Sequence, residues 1–266
     1  MTGAQRIVCL TEETVETLYL LGAEDRIVGV TGYAVRPARV RREKPRVGAF
    51  TSADVPKILA LEPDLVLTFS DLQADIAAEL IRAGVQVHAF NQRSVAGIYD
   101  MIRTLGALVD RLDEAAALVA ELEANVARVR AAAPIHLQPR VYFEEWDEPQ
   151  IAGIAWASEL ISIAGGIDVF AERARAQGAK DRILLPGDVT KAAPDLIIAS
   201  WCGKKVRPEK IATREGWADI PAVRSGRIVE VKSPLVLAPG PAALTEGLEA
   251  IAAAIRETAD AMEPVS

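Results

Sequence analysis

The sequence has 266 residues, of which 50% are apolar and 25% are charged, and this composition excludes a disordered or fibrous protein. Thirty-seven acidic residues against 30 basic ones give a net charge of −7, which disfavours nucleic acid as a partner. The apolar runs are all shorter than the roughly 20 residues that span a bilayer.

Short apolar runs alternate with helical patterns in the first part of the chain. The runs are rich in Val, Ile and Leu and are bounded by Gly, Pro or Asp, which is typical of buried parallel strands. Thr11 can cap a helix that carries two glutamates in its first turn and ends at Gly22. The predicted strands are 6–10, 26–31, 64–69 and 85–90, and a second helix is predicted over 73–83.

The middle of the chain is predicted to be helical. Ser94 can cap a helix to about Val109, and a longer helix over 111–132 places its apolar residues on one face. At 1.5 Å per residue this longer helix is roughly 33 Å long, enough to join two lobes and to limit hinge closure. The predicted domains are an N-terminal lobe 1–109, a linker helix 110–133 and a C-terminal lobe 134–266.

The second half repeats the plan of the first. Residues 63–70 read Pro-Asp-Leu-Val-Leu-Thr-Phe-Ser, and residues 194–201 read Pro-Asp-Leu-Ile-Ile-Ala-Ser-Trp. Arg6 and Arg140 each open an apolar run at a similar offset. We expect two α/β lobes of one plan, the alternative being chance similarity of two buried strands. Strands are predicted at 140–144, 195–200 and 227–231, and a last helix at 241–260.

Catalytic and metal-site motifs are missing. The sequence has no G-x-S-x-G, no Walker phosphate loop, no G-x-G-x-x-G and no H-E-x-x-H. Its two histidines, His88 and His136, and its two cysteines, Cys9 and Cys202, are too scattered for a typical zinc site. We therefore predict no catalytic residue, no metal ligand and no enzymatic activity.

Acidic and aromatic residues cluster at the ends of the predicted strands, where ligands bind in parallel α/β folds. Aromatic faces pack against bulky apolar ligands, and carboxylates accept hydrogen bonds from amides. The alternative is that the acids stabilise helix N-termini and that the tryptophans belong to the core. The candidate ligand-binding residues at these ends are Glu12, Glu13, Tyr33, Phe69, Glu145, Trp146 and Trp201.

Two basic segments have no assigned role. Six basic residues fall between Arg36 and Arg46, and Lys204, Lys205 and Arg207 follow a predicted strand of the second half. Each segment is interpreted either as a solvated loop or as a contact with an anionic partner.

The stretch Arg6-Ile-Val-Cys-Leu-Thr-Glu-Glu-Thr-Val-Glu-Thr-Leu-Tyr-Leu-Leu-Gly22 resembles the start of the class III substrate-binding proteins of ABC importers, which take up cobalamin, haem and iron–siderophores. Later segments follow the order and spacing of that family, and the similarity covers about residues 6–258. It is greatest to the cobalamin-binding branch. These segments are 27–33, 47–50, 58–66, 164–170 and 193–198.

The resemblance implies two Rossmann-like lobes with mainly parallel sheets, joined by one long helix, and a ligand in the cleft between them. Tyr33, Phe50 and Phe69 fall where aromatic residues of the cobalamin-binding branch contact the corrin, and Trp146 and Trp201 fall on its cleft loops. The implied function is a non-catalytic solute-binding protein for cobalamin or cobinamide, with no intrinsic cofactor. The alternatives are a ferric-siderophore or haem binding protein, and a cytosolic metal- or tetrapyrrole-handling protein of the chelatase-like class.

Two departures from the family concern transport. Relatives dock to a permease through one exposed acid on each lobe, whereas the register here offers Pro56, with Asp54 nearby, and no acid over 233–241. No leader precedes Arg6, so the sequence as it stands predicts a cytoplasmic protein, and a periplasmic one if a leader was removed. We expect a monomer that binds a small-molecule ligand and, despite the unmatched docking acids, is a candidate partner of an ABC permease.

Overall fold

The computed structural model describes residues 3–262 and divides into two compact units. The first unit holds residues up to 92 together with 96–122, and the second holds 93–95 and the residues from 123 onward. The fold class is α/β with mainly parallel sheets, as predicted.

The first unit contains one sheet in the order β2-β1-β3-β4, with every pairing parallel. The two central strands, β1 and β3, are buried along their whole length, because helices cover both faces of such a sheet. The strands are β1 (Ile7–Cys9), β2 (Ile27–Val30), β3 (Leu65–Phe69) and β4 (Val87–Phe90), and the helices are α1 (Glu12–Leu20), α2 (Val40–Glu43), α3 (Val55–Ala60), α4 (Ala74–Arg82) and α5 (Val95–Leu108).

The second unit contains a sheet in the order β6-β5-β8-β9, with β7 also paired to β5. Helix α6 (Leu112–Ala131) begins in the first unit and ends in the second. The strands are β5 (Arg140–Asp147), β6 (Gln150–Ala152), β7 (Ile167–Asp168), β8 (Leu196–Ala199) and β9 (Ile228–Glu230), and the helices are α7 (Ala155–Ile163), α8 (Ala171–Ala174), α9 (Asp188–Ala192), α10 (Pro208–Ala212), α11 (Pro221–Arg224), α12 (Ser233–Val236) and α13 (Leu248–Met262).

The repeated Pro-Asp motif has the same structural role in both units. The Asp64 carboxylate accepts hydrogen bonds from the backbone N–H groups of Gln5 and Arg6, at 2.7 and 3.0 Å. The Asp195 carboxylate accepts one from Arg140 N at 2.9 Å. Each aspartate thus fixes the start of the neighbouring strand, and these matching bonds show that the sequence similarity reflects a shared structure.

Among the strands, β5 differs from the prediction, and β6 and β7 were not predicted. Strand β5 does not end at 144 but continues to Asp147 and turns back into β6, an antiparallel hairpin that the sequence did not reveal. Glu145 and Trp146 therefore lie within a strand and not on a loop. The register shifts between Glu144 and Trp146, so Glu145 is the extra residue of a bulge, and adjacent glutamates reach different partners.

Candidate functional site

In the first unit, two glutamates open α1 directly after β1. Glu13 is only 3% exposed, and its Oε1 atom has no hydrogen-bond partner within the described residues. Burial, the main cause, and the charge of Glu16 raise the pKa of Glu13 to about 7, against hydrogen bonds that lower it. Burial and the charges of Glu13 and Glu16 raise the pKa of Glu12 to about 8. With pKa values raised this far, both carboxyls carry a proton for a substantial part of the time at neutral pH, Glu12 more than Glu13, so they can donate as well as accept hydrogen bonds.

A buried glutamine, Gln73, joins the chain segments that carry Phe50 and Phe69. The Gln73 Nε2 atom donates to Leu10 O at 3.0 Å and to Phe50 O at 2.7 Å, and Phe69 N donates to Gln73 Oε1 at 3.0 Å. Gln73 thereby links the end of β1, the Phe50 loop and the end of β3. Sequence reasoning missed this residue because a glutamine at the start of a helix carries no distinctive signal.

Tyr33 is held near the same loop by a close backbone approach. Gly32 N donates to Gly48 O at 2.7 Å, and a Cβ at Gly48 would lie 2.4 Å from Ser52 O, so only glycine fits there. Tyr33 is 41% exposed, Phe50 is half-buried and Phe69 is 6% exposed. We call Glu12, Glu13, Tyr33, Phe50 and Phe69 the first strand-end surface.

The turn after β3 is strained. Ser70 has φ 61° and ψ 178°, a region that is essentially restricted to glycine. The Ser70 N–H donates to Phe90 O at 2.8 Å, and the Ser70 Oγ atom accepts from Leu72 N at 3.3 Å. This turn leaves Leu72 61% exposed, three residues after Phe69. Leu72 is a further apolar candidate for ligand contact that the sequence did not single out.

In the second unit, the glutamates of β5 are already bound to arginines. The Glu144 carboxylate is fully buried and accepts from Arg214 Nη2 at 3.0 Å and from Trp201 Nε1 at 3.1 Å. The Glu145 carboxylate accepts two bonds from the buried Arg182 guanidinium, at 2.5 and 2.9 Å. In this unit the charges of both glutamates are therefore balanced by arginines, so the predicted ligand-binding residue Glu145 is not a free carboxylate.

The last acid of β5, Asp147, is also paired with basic side chains. The Asp147 carboxylate accepts from Lys204 Nζ at 2.8 and 2.7 Å and from Lys210 Nζ at 2.9 Å. Burial by itself would raise the pKa of Asp147, but the two lysines outweigh it and the pKa lies below the ordinary value. Trp146 is half-buried, and Lys204 Nζ lies 5.2 Å from the centre of its ring.

Trp201 is buried more deeply than a ligand-stacking residue requires. It is 1% exposed and packs in the core of the second unit with residues such as Tyr142 and Trp217. A ligand reaches at most an edge of this indole. Among the predicted aromatic residues of the second unit, Trp146 therefore offers more ring surface.

Neither a metal cluster nor a membrane span is found in the part of the chain that the structure describes. Across residues 3–262, no three His, Cys, Asp or Glu side chains are grouped so as to hold a metal ion. The helices within this range are also too short or too polar to cross a bilayer.

Comparison with known proteins identifies relatives in one family. A family model described as "Periplasmic binding protein" matches residues 7–235. An uncharacterized ABC transporter substrate-binding lipoprotein of Bacillus subtilis is 27% identical over 261 residues, covering 94% of this chain and 80% of the relative. A cobalamin-binding protein of Halobacterium salinarum is 28% identical over 172 residues, covering 63% of this chain and 47% of the relative, so the match spans about half of that protein.

A solved structure supports the same grouping. The periplasmic heme-binding protein RhuT of Roseiflexus sp. RS-1, in its apo form, superposes with a TM-score of 0.81 at 26% identity. The match covers 95% of this chain and all of that one. The similarity therefore extends over both units.

Proposed function

Because this chain belongs to the periplasmic binding protein family, we propose that it binds cobalamin or a related corrinoid, such as cobinamide, and does so without catalysis, for ABC-type uptake. The first strand-end surface carries this proposal. It combines aromatic side chains, which suit the broad face of a macrocycle, with two glutamates whose raised pKa values let them donate as well as accept hydrogen bonds, which suits the amide side chains at a corrin's edge.

The relatives favour a corrinoid among the ligands of this family. A curated relative is a cobalamin-binding protein. The state of the glutamates agrees with that ligand, because a neutral carboxyl next to a neutral amide costs no unpaired charge. In this proposal Tyr33, Phe50 and Phe69 of the first unit contact the macrocycle, and Glu12 and Glu13 bind amides. The predicted residues of the second unit remain candidates for ligand contact: Trp146 by its ring, Trp201 by an edge only, and Glu145 while bound to Arg182.

Haem is the second candidate ligand. A structural relative at 26% identity is a heme-binding protein, and two basic segments of this chain have the sign needed for propionates. Haem carries carboxylates instead of the amides of a corrin. Ligand preference therefore separates the candidates directly.

Titration of the purified protein tests the proposal. We expect cobalamin and cobinamide to quench tryptophan fluorescence saturably, with a Kd of about 1 µM or tighter, equivalent to about 8 kcal/mol. Haem and a ferric siderophore serve as competitors. If no corrinoid response appears at micromolar protein and haem saturates, the corrinoid proposal is wrong and haem replaces it.

Leu72 offers a matched pair of variants for the same titration. Replacing the exposed Leu72 by Asp removes apolar surface from the turn after β3, and we expect corrinoid affinity to fall about 10-fold. The control is Ile81→Asp, since Ile81 is 59% exposed in the same unit but lies near the end of α4. Equal effects of the two substitutions would contradict a role for the turn after β3.

Transport requires a partner, and we propose an ABC permease with this protein as a monomeric, periplasmic or surface-anchored donor. The Asp54 carboxylate is exposed but already accepts from Lys57 N at 3.1 Å, as the cap of α3. Co-purification with the permease encoded nearest to the gene tests this proposal. If docking does not use Asp54, the Asp54→Asn variant should still bind the permease.

A further inference from the structure

Two glutamates at the start of α1 lie in surroundings that a third glutamate of the same helix does not share. The Glu16 carboxylate accepts from Arg36 Nε at 2.8 Å, so it has a basic partner. Glu12 and Glu13 directly follow the end of β1, where Glu12 is half-buried and Glu13 is buried. The Glu13 Oε1 atom has no hydrogen-bond partner within residues 3–262. This strand end, where ligands of parallel α/β folds bind, therefore has a buried polar atom that the described part of the chain does not satisfy.

The elements packed against α1 do not supply a counter-charge. They are β1, β2 and the turn Glu24–Arg26. The titratable side chain of β1 is Cys9, and burial raises the pKa of its thiol to about 12, so it is neutral. Strand β2 carries no titratable side chain. The titratable side chains of the turn are Glu24, which is paired with Arg39, the exposed Asp25, and Arg26, which donates to backbone carbonyls. Burial above all, and neighbouring carboxylates, therefore raise the pKa values of Glu12 and Glu13.

An amide and a carboxylate differ in what they offer such a pair. An amide has N–H donors and a carbonyl acceptor, so it complements a carboxyl group in either protonation state. A carboxylate only accepts, so it complements the protonated form and is repelled by the ionised form. With pKa values of about 8 for Glu12 and about 7 for Glu13, the pair changes from mainly protonated at pH 6 to mainly ionised at pH 9. The two kinds of ligand group should therefore be distinguished more strongly as pH rises.

We propose that Glu12 and Glu13 are specificity-determining residues, which select ligands with an amide side group over those with a carboxylate at the same place. Glu12, the more exposed of the two, contacts the side group, and Glu13 adds its charge to the same site. This inference rests on the proposed function, because the side group belongs to a corrinoid held by the first strand-end surface. It names the class of corrinoid, which is the amidated form and not the free acid.

Matched pairs of corrinoids test the inference. Cobalamin is titrated in parallel with its b-, d- and e-monocarboxylic acids, in each of which one peripheral amide is replaced by a carboxylate of nearly the same size. Cobinamide is titrated in parallel with cobyrinic acid, in which every side group is a carboxylate, so that all positions are covered. At pH 9 we expect the amidated member of at least one pair to bind about 10-fold more tightly, and at pH 6 less than about 3-fold more tightly.

Two double variants show whether this preference comes from the glutamates. In Glu12→Gln/Glu13→Gln we expect the preference at pH 9 to fall below about 3-fold and to lose its pH dependence, because neither position can then ionise. The control is Asp75→Asn/Glu79→Gln, which removes two negative charges from exposed positions of α4 and should keep the preference. This control separates the local site from the overall net charge of −7.

A wild-type protein that binds every acid as tightly as its amide at pH 9 overturns the inference, and this result does not depend on the folding of a variant. An equal loss of preference in the control also overturns it, since overall charge would then be the cause. Failure to bind any corrinoid contradicts the proposed function instead. Haem and its dimethyl ester, which lacks the propionate charges, then decide between the outcomes at pH 9. Tighter binding of the ester that disappears in Glu12→Gln/Glu13→Gln supports the inference, and tighter binding of haem overturns it.

Discussion

Both units have acids after or within equivalent strands, but the electrostatic surroundings of these acids differ. In the first unit the pKa values of the acids are raised, and in the second the acids are paired with basic side chains. After β1, burial and neighbouring carboxylates raise the pKa values of Glu12 and Glu13 to about 8 and about 7. Within β5, Glu144 and Glu145 bind arginines and Asp147 binds lysines. The contrast teaches that a shared backbone plan does not fix electrostatics, which depend on which long side chains happen to reach each strand end.

The largest expected effect comes from removing Arg214. Arg214→Gln would leave the fully buried Glu144 carboxylate without its cation, which costs about 3–5 kcal/mol. We expect urea unfolding to shift to a lower midpoint by a corresponding amount. The double variant Glu144→Gln/Arg214→Gln removes both charges and should be more stable than Arg214→Gln alone. If the single and double variants are equally stable, the pair is not coupled and the contrast between the units fails.

In the first unit, replacing the Glu13 carboxyl by a neutral amide should increase stability, whereas Arg214→Gln in the second unit should decrease it. The pKa of Glu13 rises from 4.5 to about 7 on folding, so the folded protein holds an extra proton between these pH values. Its stability therefore falls as pH rises through that window. We expect Glu13→Gln to be about 2 kcal/mol more stable than the wild type at pH 8, and to differ little at pH 4.

Thermal unfolding at several pH values measures the effect of Glu13→Gln. The exposed Glu79 provides a matched control, and Glu79→Gln should follow the wild-type pH profile. A wild-type protein whose melting temperature is constant from pH 5 to pH 8 would contradict the raised pKa of Glu13.

The smallest effect concerns the turn after β3. Ser70 has positive φ, whereas Trp201, 131 positions later, does not. Ser70→Gly should relieve strain and add about 1 kcal/mol of stability, or roughly 2–4 °C in Tm. Ser70→Ala keeps the strain and removes the hydroxyl, so it should not stabilise the protein. Stabilisation by alanine equal to that by glycine would show that the backbone of Ser70 is not strained.

The elements of this fold were largely predictable from sequence. Strands β1 to β4, β8 and β9 were predicted within three residues, because buried parallel strands are continuous apolar runs with clear boundaries. The long helix predicted over 111–132 spans Leu112–Ala131. The hairpin of β5 and β6 was missed because Glu145, Trp146 and Asp147 look like a loop, and their strand conformation depends on pairing with a segment that is itself only three residues long.

The candidate site was predictable only in part. Strand ends and the family resemblance predicted the residues of the first strand-end surface, and the structure links the backbone of Phe50 and Phe69 through Gln73. Sequence could not reveal that Arg182 and Arg214, which lie 37 and 70 residues from their glutamates, would neutralise the acids of β5. Such pairings are long-range and depend on tertiary structure, so residue type alone overstated the acidity of the second unit.

The three hydrogen bonds of Gln73 have a consequence for how selectively the proposed site binds a ligand. Because one amide side chain bonds the backbone of three chain segments, the backbone at Phe50 and Phe69 is already ordered before a ligand arrives. Loops that become ordered only on association reduce affinity, and the proposed site avoids that loss at these two positions. We therefore expect it to favour ligands whose outline already matches it over those that require the backbone to move.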